Sequence, residues 1–294
     1  MEVIRHPREM LQWSQRVRTE GNEIGFVPTM GYLHEGHLSL CRLARSDGGR
    51  TVASVYVNPT QFCPGEDFEH YPRDENRDLE LLRNEGIDAV FLPTSEMMYP
   101  PEYSTYVETG GPSEGWCGAS RPIHFRGVTT IVTQLFHLVL PHRAYFGQKD
   151  AQQVAVVHRM VCDLKFGIEI VVGETMRERD GLAMSSRNAY LSTEERHAAL
   201  VLYRSLSKAR SLYKRGERDG VRLVEAMRST VQSEPLARLD YVGVVDRASF
   251  RSVETVGPSD LLIGAIHVGS TRLIDNLDVS PQVYPLRMSH GMSR

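Results

Sequence analysis

PTMGYLHEGHL, residues 28–38, joins a predicted strand to a predicted helix and carries two histidines three positions apart. Residues 24–27 form a short apolar run upstream, and apolar residues recur at helical spacing from Leu38 onwards. His34 and His37 therefore lie where a helix begins. Unpaired backbone N–H groups and the positive end of the helix dipole favour anions there, and side chains at i and i+3 share one face. We predict a turn that binds the phosphates of a nucleotide.

The same turn partly matches two other motifs. Gly31 and Gly36 have the glycine spacing of a kinase-type phosphate loop, but His37 and Leu38 occupy the positions where that loop needs Lys and Ser/Thr. We therefore reject a phosphate loop of that type. His34 and His37 would supply half of a zinc site, yet no third ligand follows at a recognised spacing. A pair of core histidines without a chemical role is the remaining alternative.

Composition fits a globular enzyme and argues against a nucleic-acid or membrane partner. The chain has 294 residues, 41% of them hydrophobic, which is enough to build a large core in one or two domains. Its net charge of −3 gives no polybasic surface for nucleic acid or anionic lipid. Any phosphate must therefore be bound by a few well-placed residues.

Cysteine usage and the N-terminal sequence predict a cytoplasmic protein. The four cysteines are widely separated, contain no Cys-x-x-Cys pair, and are expected to be buried thiols in a reducing compartment: Cys41, Cys63, Cys117 and Cys162. The N-terminus has no apolar signal core, and the apolar stretch at residues 131–140 is interrupted by polar residues. We expect no membrane span.

Short β-like runs alternate with helical patterns in the first half of the chain. The predicted strands cover residues 24–27, 51–57, 89–92, 144–146 and 168–172. The predicted helices cover residues 36–45, 74–84, 128–139 and 150–163. This alternation is typical of a Rossmann-like α/β fold, a doubly wound parallel sheet with right-handed crossovers. Ligands bind such sheets beyond the carboxyl ends of the strands, where His34, Asn58 and Lys149 are expected.

The pattern changes after Arg187 and predicts a second, smaller α+β domain. Its expected elements are helices at residues 194–214 and 222–231 and an antiparallel pair of strands at residues 240–245 and 261–268. We place the domains at residues 1–175 and 176–294, with a loose tail from about residue 280.

Six blocks in order resemble the pantoate–β-alanine ligase family, within the nucleotidyltransferase-like adenylating superfamily. After the histidine turn, the blocks are VNPTQF (57–62) with EDF (66–68) and YPR (71–73), HFRGV (124–128), YFGQKD (145–150), DGLAMSSRN (180–188) and TRLIDN (271–276). The resemblance extends from about residue 27 to residue 277. It implies that the first domain binds ATP and pantoate and that the second closes over ATP as a lid.

The resemblance also implies the reaction. ATP transfers AMP to pantoate, and the amine of β-alanine then displaces AMP to give pantothenate. Neither step needs a nucleophile from the protein, so the site must stabilise charge on the α-phosphate and exclude water from the mixed anhydride.

Residue roles follow from the matched motifs. The implied catalytic residues are His34, His37 and Lys149. The implied ATP-binding residues are Met30, His37, Gly147, Lys149, Asp150, Met184, Ser185, Ser186 and Arg187. The implied pantoate-binding residues are Asn58, Gln61 and Gln153, and a further loop of the site carries Arg121 and His124. The resemblance also implies Mg²⁺ with ATP, for which no side-chain ligand is assigned, and a homodimer.

Four positions depart from the usual family pattern. Gln148 stands where Glu is usual, Ala151 replaces a commonly aromatic residue, and Gly65 replaces a frequent Asn. Ile123 stands where the family usually has Gly, and a β-branched residue cannot cheaply adopt a positive φ. We therefore expect the loop before His124 to differ locally.

Three other functions compete with this interpretation. A plain nucleotidyltransferase would use the histidines but would leave the two glutamines without a role. An α/β-hydrolase is suggested by GPSEG at residues 111–115, which matches Gly-x-Ser-x-Gly, although Pro112 and the glycines that follow disfavour the helix that such an elbow requires. A noncatalytic regulator would bind ATP and release no pyrophosphate.

Overall fold

The computed structural model describes residues 1–288 and contains two β-sheets. The strands are β1 (Glu2–Ile4), β2 (Ile24–Thr29), β3 (Arg50–Val55), β4 (Ala89–Phe91), β5 (Arg143–Gly147), β6 (Glu169–Gly173), β7 (Ala237–Val245), β8 (Leu261–Val268), β9 (Thr271–Asp278) and β10 (Leu286–Met288). The larger sheet has the order β1-β4-β3-β2-β5-β6-β10 and is parallel except for β10. The predicted parallel α/β sheet is confirmed.

Helices cover both faces of the larger sheet. The helices of the protein are α1 (Pro7–Thr19), α2 (Glu35–Ser46), α3 (Glu75–Asn84), α4 (Ser95–Met98), α5 (Trp116–Ser120), α6 (His124–Val139), α7 (Ala151–Asp163), α8 (Thr193–Lys214) and α9 (Gly220–Gln232). Adjacent residues of a strand point to opposite faces. Accordingly, Phe26 packs with α1, α6 and α7, whereas Val27 packs with α2 and α3. This two-sided burial makes β2 apolar at nearly every position.

The second sheet is antiparallel, with the order β7-β8-β9, and α8 and α9 pack against it. The two predicted strands are found, but β9 was not predicted. Its Asp275 and Asn276 are 5% and 4% exposed and are buried by polar partners rather than by apolar packing, so a hydrophobic pattern does not reveal the strand. The division at residue 175 lies just after β6 and remains a prediction.

The C-terminal segment differs from the predicted loose tail. Residues 286–288 form β10, which extends the larger sheet by pairing with β6. Arg287 also donates to Asp47 at 2.6 Å and to Glu169 at 3.2 Å. The segment is short and surrounded by turn-forming residues, so its local sequence does not indicate a strand. Residues 289–294 of the predicted tail lie outside the described part of the chain.

Four further elements were not predicted: β1, α1, α4 and α5. The sequence patterns assign no element to residues 1–20, which form β1 and α1, or to residues 95–98, which form α4, and α5 forms where glycines are expected to prevent a helix. Gly115, at φ 69°, leads into α5, and the indole N–H of Trp116 donates to the carbonyl of Phe250 at 2.9 Å. This tertiary contact outweighs the weak local preference for helix. Within residues 1–288, no helix is both long and apolar enough to cross a membrane.

Gly127 brings α6 into close contact with the turn at Pro59–Gln61. A Cβ atom on Gly127 would lie 2.4 Å from the carbonyl oxygen of Thr60 and 2.6 Å from the Cα of Gln61. Both neighbours are backbone atoms, which cannot rotate away. The glycine therefore sets the distance between the helix and a turn that carries predicted site residues.

We predict that Gly127→Ala lowers the free energy of unfolding by about 1–3 kcal/mol, because overpacking exceeds the gain in helix propensity. Urea denaturation measures this difference. Gly110→Ala is the control, since its Cβ would meet only the Glu114 carboxylate at 3.6 Å, and it should change stability by less than about 0.5 kcal/mol. Equal stability of Gly127→Ala and wild type would contradict the close approach.

Candidate active site

A cavity of about 770 Å³ lies beyond the carboxyl ends of β2 and β5. It is the place where ligands of doubly wound sheets bind. Every site residue predicted from the sequence lines it: Met30, His34, His37, Asn58, Gln61, Arg121, His124, Gly147, Lys149, Asp150, Gln153, Met184, Ser185, Ser186 and Arg187. The fold therefore brings the separate sequence blocks together, and their chemical roles are proposed below.

His34 and His37 lie with their ring centroids 4.1 Å apart at the start of α2. The backbone N–H of Gly36 donates to Nδ1 of His34 at 3.1 Å, and the backbone N–H of His34 donates to Nδ1 of His37 at 3.3 Å. A ring nitrogen that accepts a hydrogen bond carries no proton, so a neutral imidazole in either position has its proton on Nε2. Within residues 1–288, neither Nε2 has a hydrogen-bond partner.

The electrostatic environment keeps both imidazoles neutral. Burial, and then the positive charge of Lys149, lowers the pKa of His34 to about 4. Burial lowers the pKa of His37 well below its usual value near 6.5, and His34 and Lys149 act in the same direction. At neutral pH the pair therefore presents two neutral N–H donors beside one ammonium group.

Asp78 on α3 organises the turn before the histidines, and sequence reasoning missed it. Its carboxylate is 2% exposed and accepts the backbone N–H groups of Tyr32 and Leu33, each at 2.7 Å. These bonds hold a segment in which Gly31 and Tyr32 both have positive φ, at 84° and 48°. Asp78 lies in a helix rich in charged residues, so its sequence context suggests a solvent-exposed side chain.

Lys149 is placed by contacts between its turn and β9. Its Nζ atom lies 3.8 Å from Oδ1 of Asp150, and its side chain is 19% exposed. The Nδ2 of Asn276 donates to the carbonyl oxygens of Gln148 and Lys149, both at 2.9 Å, and Nε2 of Gln148 donates to Oδ1 of Asn276 at 3.0 Å. The glutamine at position 148 thus supplies a donor that the usual glutamate would lack.

Hydrogen bonds from neighbouring residues to its backbone carbonyl and to its side chain hold Gln61 in place. His124 Nδ1 donates to the Gln61 carbonyl at 2.9 Å, and Arg121 donates to the same oxygen at 3.3 Å. Asn58 is 1% exposed, and its Nδ2 donates to Oε1 of Gln61 at 3.1 Å. Arg121, His124 and Asn58 therefore all act on the position of Gln61.

Ile123 causes no strain at the start of α6. Its φ is −96° and its ψ is −8°, so this position does not need the positive φ that glycine would favour. The expectation that this loop differs locally from the family stays a prediction. The side chains of Arg121 and His124 reach the cavity in spite of the substitution.

Two arginines of the cavity are paired with adjacent carboxylates. Arg187 donates from Nε and Nη2 to Asp67, both at 2.8 Å, and Arg121 donates to Glu66 at 2.6 and 2.7 Å. Burial alone would raise the pKa of Asp67, but the hydrogen bonds and charge of Arg187 lower it. An anionic ligand at Arg187 must therefore displace the Asp67 carboxylate or share the guanidinium group with it.

The serines beside Arg187 connect its turn to the histidine turn. Ser185 Oγ accepts the backbone N–H of Arg187 at 3.3 Å, and Ser186 Oγ donates to the carbonyl of Tyr32 at 3.2 Å. Ser186 is 7% exposed. The turn at Ser186–Tyr190 is thus anchored against the segment that positions His34.

Within residues 1–288, neither the GPSEG segment nor the pair of His34 and His37 has the surroundings that a hydrolase or a zinc site requires. Ser113 of the GPSEG segment donates to the carbonyl of Thr109, and the segment follows no strand directly, so it does not form a nucleophile elbow. Among residues 1–288, no group of three or more His, Cys, Asp or Glu side chains is arranged to hold a metal ion.

Comparison with known proteins decides the family. The sequence model of the pantoate-beta-alanine ligase family matches residues 2–278. The chain belongs to the pantoate–β-alanine ligase family. The pantothenate synthetase of Heliobacterium modesticaldum is 53% identical over 279 residues, which cover 95% of this chain and 99% of that protein.

Solved structures of the family share the fold. The pantothenate synthetase from Thermus thermophilus is 45% identical, with a TM-score of 0.91, and the match covers 96% of this chain and all of that one. A pantoate–β-alanine ligase from Francisella tularensis, solved as a complex with β,γ ATP and β-alanine, is 29% identical with a TM-score of 0.77 over 96% and 99% of the two chains. These relatives confirm the expected fold and an ATP-dependent ligase that forms pantothenate.

His124 makes the stability of the protein depend on pH. Burial, and then the charge of Arg121, lowers the pKa of His124 to about 3 from its usual value near 6.5. Below pH 6.5 the unfolded chain binds a proton that the folded protein does not, so the free energy of unfolding falls as the pH is lowered towards 3.

We predict that the stability advantage of the wild type over His124→Gln decreases by about 1.4 kcal/mol per pH unit below pH 6.5, because the variant lacks this proton. Urea denaturation at pH 7, 6, 5 and 4.5 gives the difference at each pH. A difference that stays constant over this range would show that His124 binds a proton equally in both states.

Proposed function

We propose that the cavity condenses pantoate with β-alanine through pantoyl adenylate and that the residues lining it divide this work. The observation that carries the proposal is the pair of neutral Nε2–H donors of His34 and His37 beside Lys149, in the same cavity as Gln61 and Gln153. Donors of this kind suit a phosphate, and amides suit an acid that also carries hydroxyl groups. The complex of the Francisella ligase with β,γ ATP and β-alanine supports ATP and β-alanine as substrates.

In the first step, a carboxylate oxygen of pantoate attacks the α-phosphorus of ATP, and pyrophosphate leaves. Negative charge grows on the α-phosphate oxygens in the transition state. His34 and His37 stabilise it by hydrogen bonds from Nε2, and Lys149 contributes a positive charge. Since Nδ1 of each neutral imidazole accepts a backbone N–H, the proton lies on Nε2 and is available to a phosphate oxygen.

The remaining contacts with ATP come from three segments. Ser185, Ser186 and Arg187 hold the outer phosphates, and Arg187 exchanges part of its pairing with Asp67 for a phosphate oxygen. The nucleoside lies against Met30, Gly147, Asp150 and Met184. Apolar methionine side chains suit the faces of an adenine ring.

In the second step, the amine of β-alanine attacks the carbonyl carbon of pantoyl adenylate. The C–N bond forms, the C–O bond to AMP breaks, and the amine loses a proton. The protein supplies no nucleophile. Its contribution is to hold the anhydride at Gln61 and Gln153, away from water, until the amine arrives.

Mg²⁺ enters as the counter-ion of ATP, because this ion prefers phosphate oxygens and water to a cage of protein side chains. We assign it no side-chain ligand. The resemblance to the family supports a homodimer, and the four free cysteines suit a cytoplasmic protein. The unit formed by α8, α9 and the β7-β8-β9 sheet serves as a lid over the first domain, whose larger sheet is extended by β10.

We predict that His37→Ala and Lys149→Ala each reduce the rate of pantoate-dependent exchange of labelled pyrophosphate into ATP by about 100- to 1000-fold, because each removes a donor to the α-phosphate. The assay contains Mg²⁺ and no β-alanine, so it isolates the first step. Exchange by the wild type should require pantoate.

Lys208→Ala is the matched control, since Lys208 is exposed on α8, and it should exchange at the wild-type rate. Wild-type exchange in the folded His37→Ala and Lys149→Ala variants would refute their proposed roles. Absence of exchange and of pantothenate synthesis in folded, ATP-binding wild type would refute the proposed function and favour a binding protein.

A further inference from the structure

Tyr99 lies outside the cavity and is hydrogen-bonded to its pantoate end. The residue follows α4, and its hydroxyl donates to Oδ1 of Asn58 at 2.8 Å. Asn58 Nδ2 in turn donates to Oε1 of Gln61 at 3.1 Å. Gln61 lines the cavity, whereas Tyr99 does not. A continuous hydrogen-bonded series therefore runs from Tyr99 to Gln61.

Backbone groups fix which way the Asn58 amide points. Oδ1 of Asn58 faces the backbone N–H of Thr60, which can only donate, at 3.4 Å. Nδ2 of Asn58 faces the carbonyl of Gly127, which can only accept, at 3.1 Å. A flipped amide would place oxygen against oxygen and nitrogen against N–H. The orientation is thus determined by chemistry and does not depend on distinguishing N from O.

The orientation of Asn58 determines the polarity of Gln61. Because Nδ2 of Asn58 donates to Oε1 of Gln61, the NH₂ group of Gln61 faces the cavity. Its only acceptor among residues 1–288 is the sulfur of Met30 at 3.1 Å, and a thioether is a weak acceptor. Gln61 therefore presents a hydrogen-bond donor to the ligand, which suits a carboxylate or hydroxyl oxygen.

Tyr99 is built to act as a fixed donor in this series. Burial raises the pKa of its hydroxyl, so the proton stays on the oxygen. Its ring packs edge-on against Tyr103 at 4.9 Å between centroids, and its hydroxyl also lies 3.1 Å from Oγ1 of Thr60. Thr60 Oγ1 itself donates to Oδ1 of Asn58 at 3.0 Å. Two hydroxyl groups thus converge on the oxygen of Asn58.

We propose that Tyr99 is a positioning residue for pantoate, which acts by holding the Asn58 amide so that Gln61 directs its NH₂ group at the substrate. Asn58, fully occupied by protein partners, is in this arrangement a support for Gln61 rather than a direct ligand. The proposal rests on the proposed function, specifically on pantoate binding by Gln61.

Steady-state kinetics of Tyr99→Phe test the proposal, because this change removes one oxygen atom. The KM for pantoate should rise about 3- to 10-fold, the effect of one lost hydrogen bond, while kcat and the KM for ATP stay within about twofold. Tyr103→Phe is the matched control: its hydroxyl receives a bond from Gln134, and its loss should leave the pantoate KM unchanged. Equal changes in all kinetic constants would indicate a general structural role and overturn the proposal.

A double-mutant cycle with Gln61→Ala shows whether the effect passes through Gln61. Once Gln61 is absent, adding Tyr99→Phe should not raise the pantoate KM further. Additive effects of the two substitutions on the pantoate KM would overturn the proposed route from Tyr99 through Asn58 to Gln61. If Gln61→Ala raises the pantoate KM and Tyr99→Phe does not, only the role of Tyr99 fails. If Gln61→Ala leaves it unchanged, the pantoate site in the proposed function fails as well.

Thr60→Val provides an independent variant, since it removes the second hydroxyl at Asn58 Oδ1 and keeps the shape of the side chain. It should raise the pantoate KM in the same selective way. This result can be obtained even if Tyr99→Phe folds poorly. An unchanged pantoate KM in folded Thr60→Val would count against control of Gln61 through Asn58.

Discussion

Two backbone N–H groups at the start of α2 determine which nitrogen of His34 and of His37 carries the proton, and the rest of the site depends on this. They donate to Nδ1 of His34 and of His37, and they thereby place the imidazole protons on the two Nε2 atoms. The surrounding structure serves this arrangement: Asp78 holds the turn that leads into it, Ser186 anchors the same turn, and burial keeps both rings neutral. Without the fixed tautomers, the rings would offer acceptors to a phosphate that needs donors.

Similar local control recurs around Gln61, at the proposed pantoate end of the cavity. There, backbone groups of Thr60 and Gly127 set the Asn58 amide, and Asn58 sets Gln61. In both places a group that faces the ligand takes its polarity from the backbone behind it. Such preorganised donors stabilise developing charge without having to reorient during the reaction, which is why they contribute strongly to catalysis.

Sequence alone predicts much of this arrangement, since the strand and helix patterns place His34, Asn58 and Lys149 at one edge of a parallel sheet. The family motifs then identify the other lining residues. What the sequence does not reveal are the supports: Asp78 lies among charged helix residues, Tyr99 resembles an ordinary loop tyrosine, and Asn276 lies in a strand whose polar residues obscure its pattern. Each has a role only through a partner distant in sequence, so no local signal marks it.

Nitrogen-15 NMR of the imidazole rings tests the fixed tautomers most directly. The chain has eleven histidines, so His34→Gln and His37→Gln spectra are needed to assign the two signals. At pH 7 in the absence of ligand, each ring should show a protonated Nε2 and an unprotonated Nδ1. A protonated Nδ1, a doubly protonated ring or averaged signals from two tautomers would contradict the view that the backbone prepares both histidines as donors.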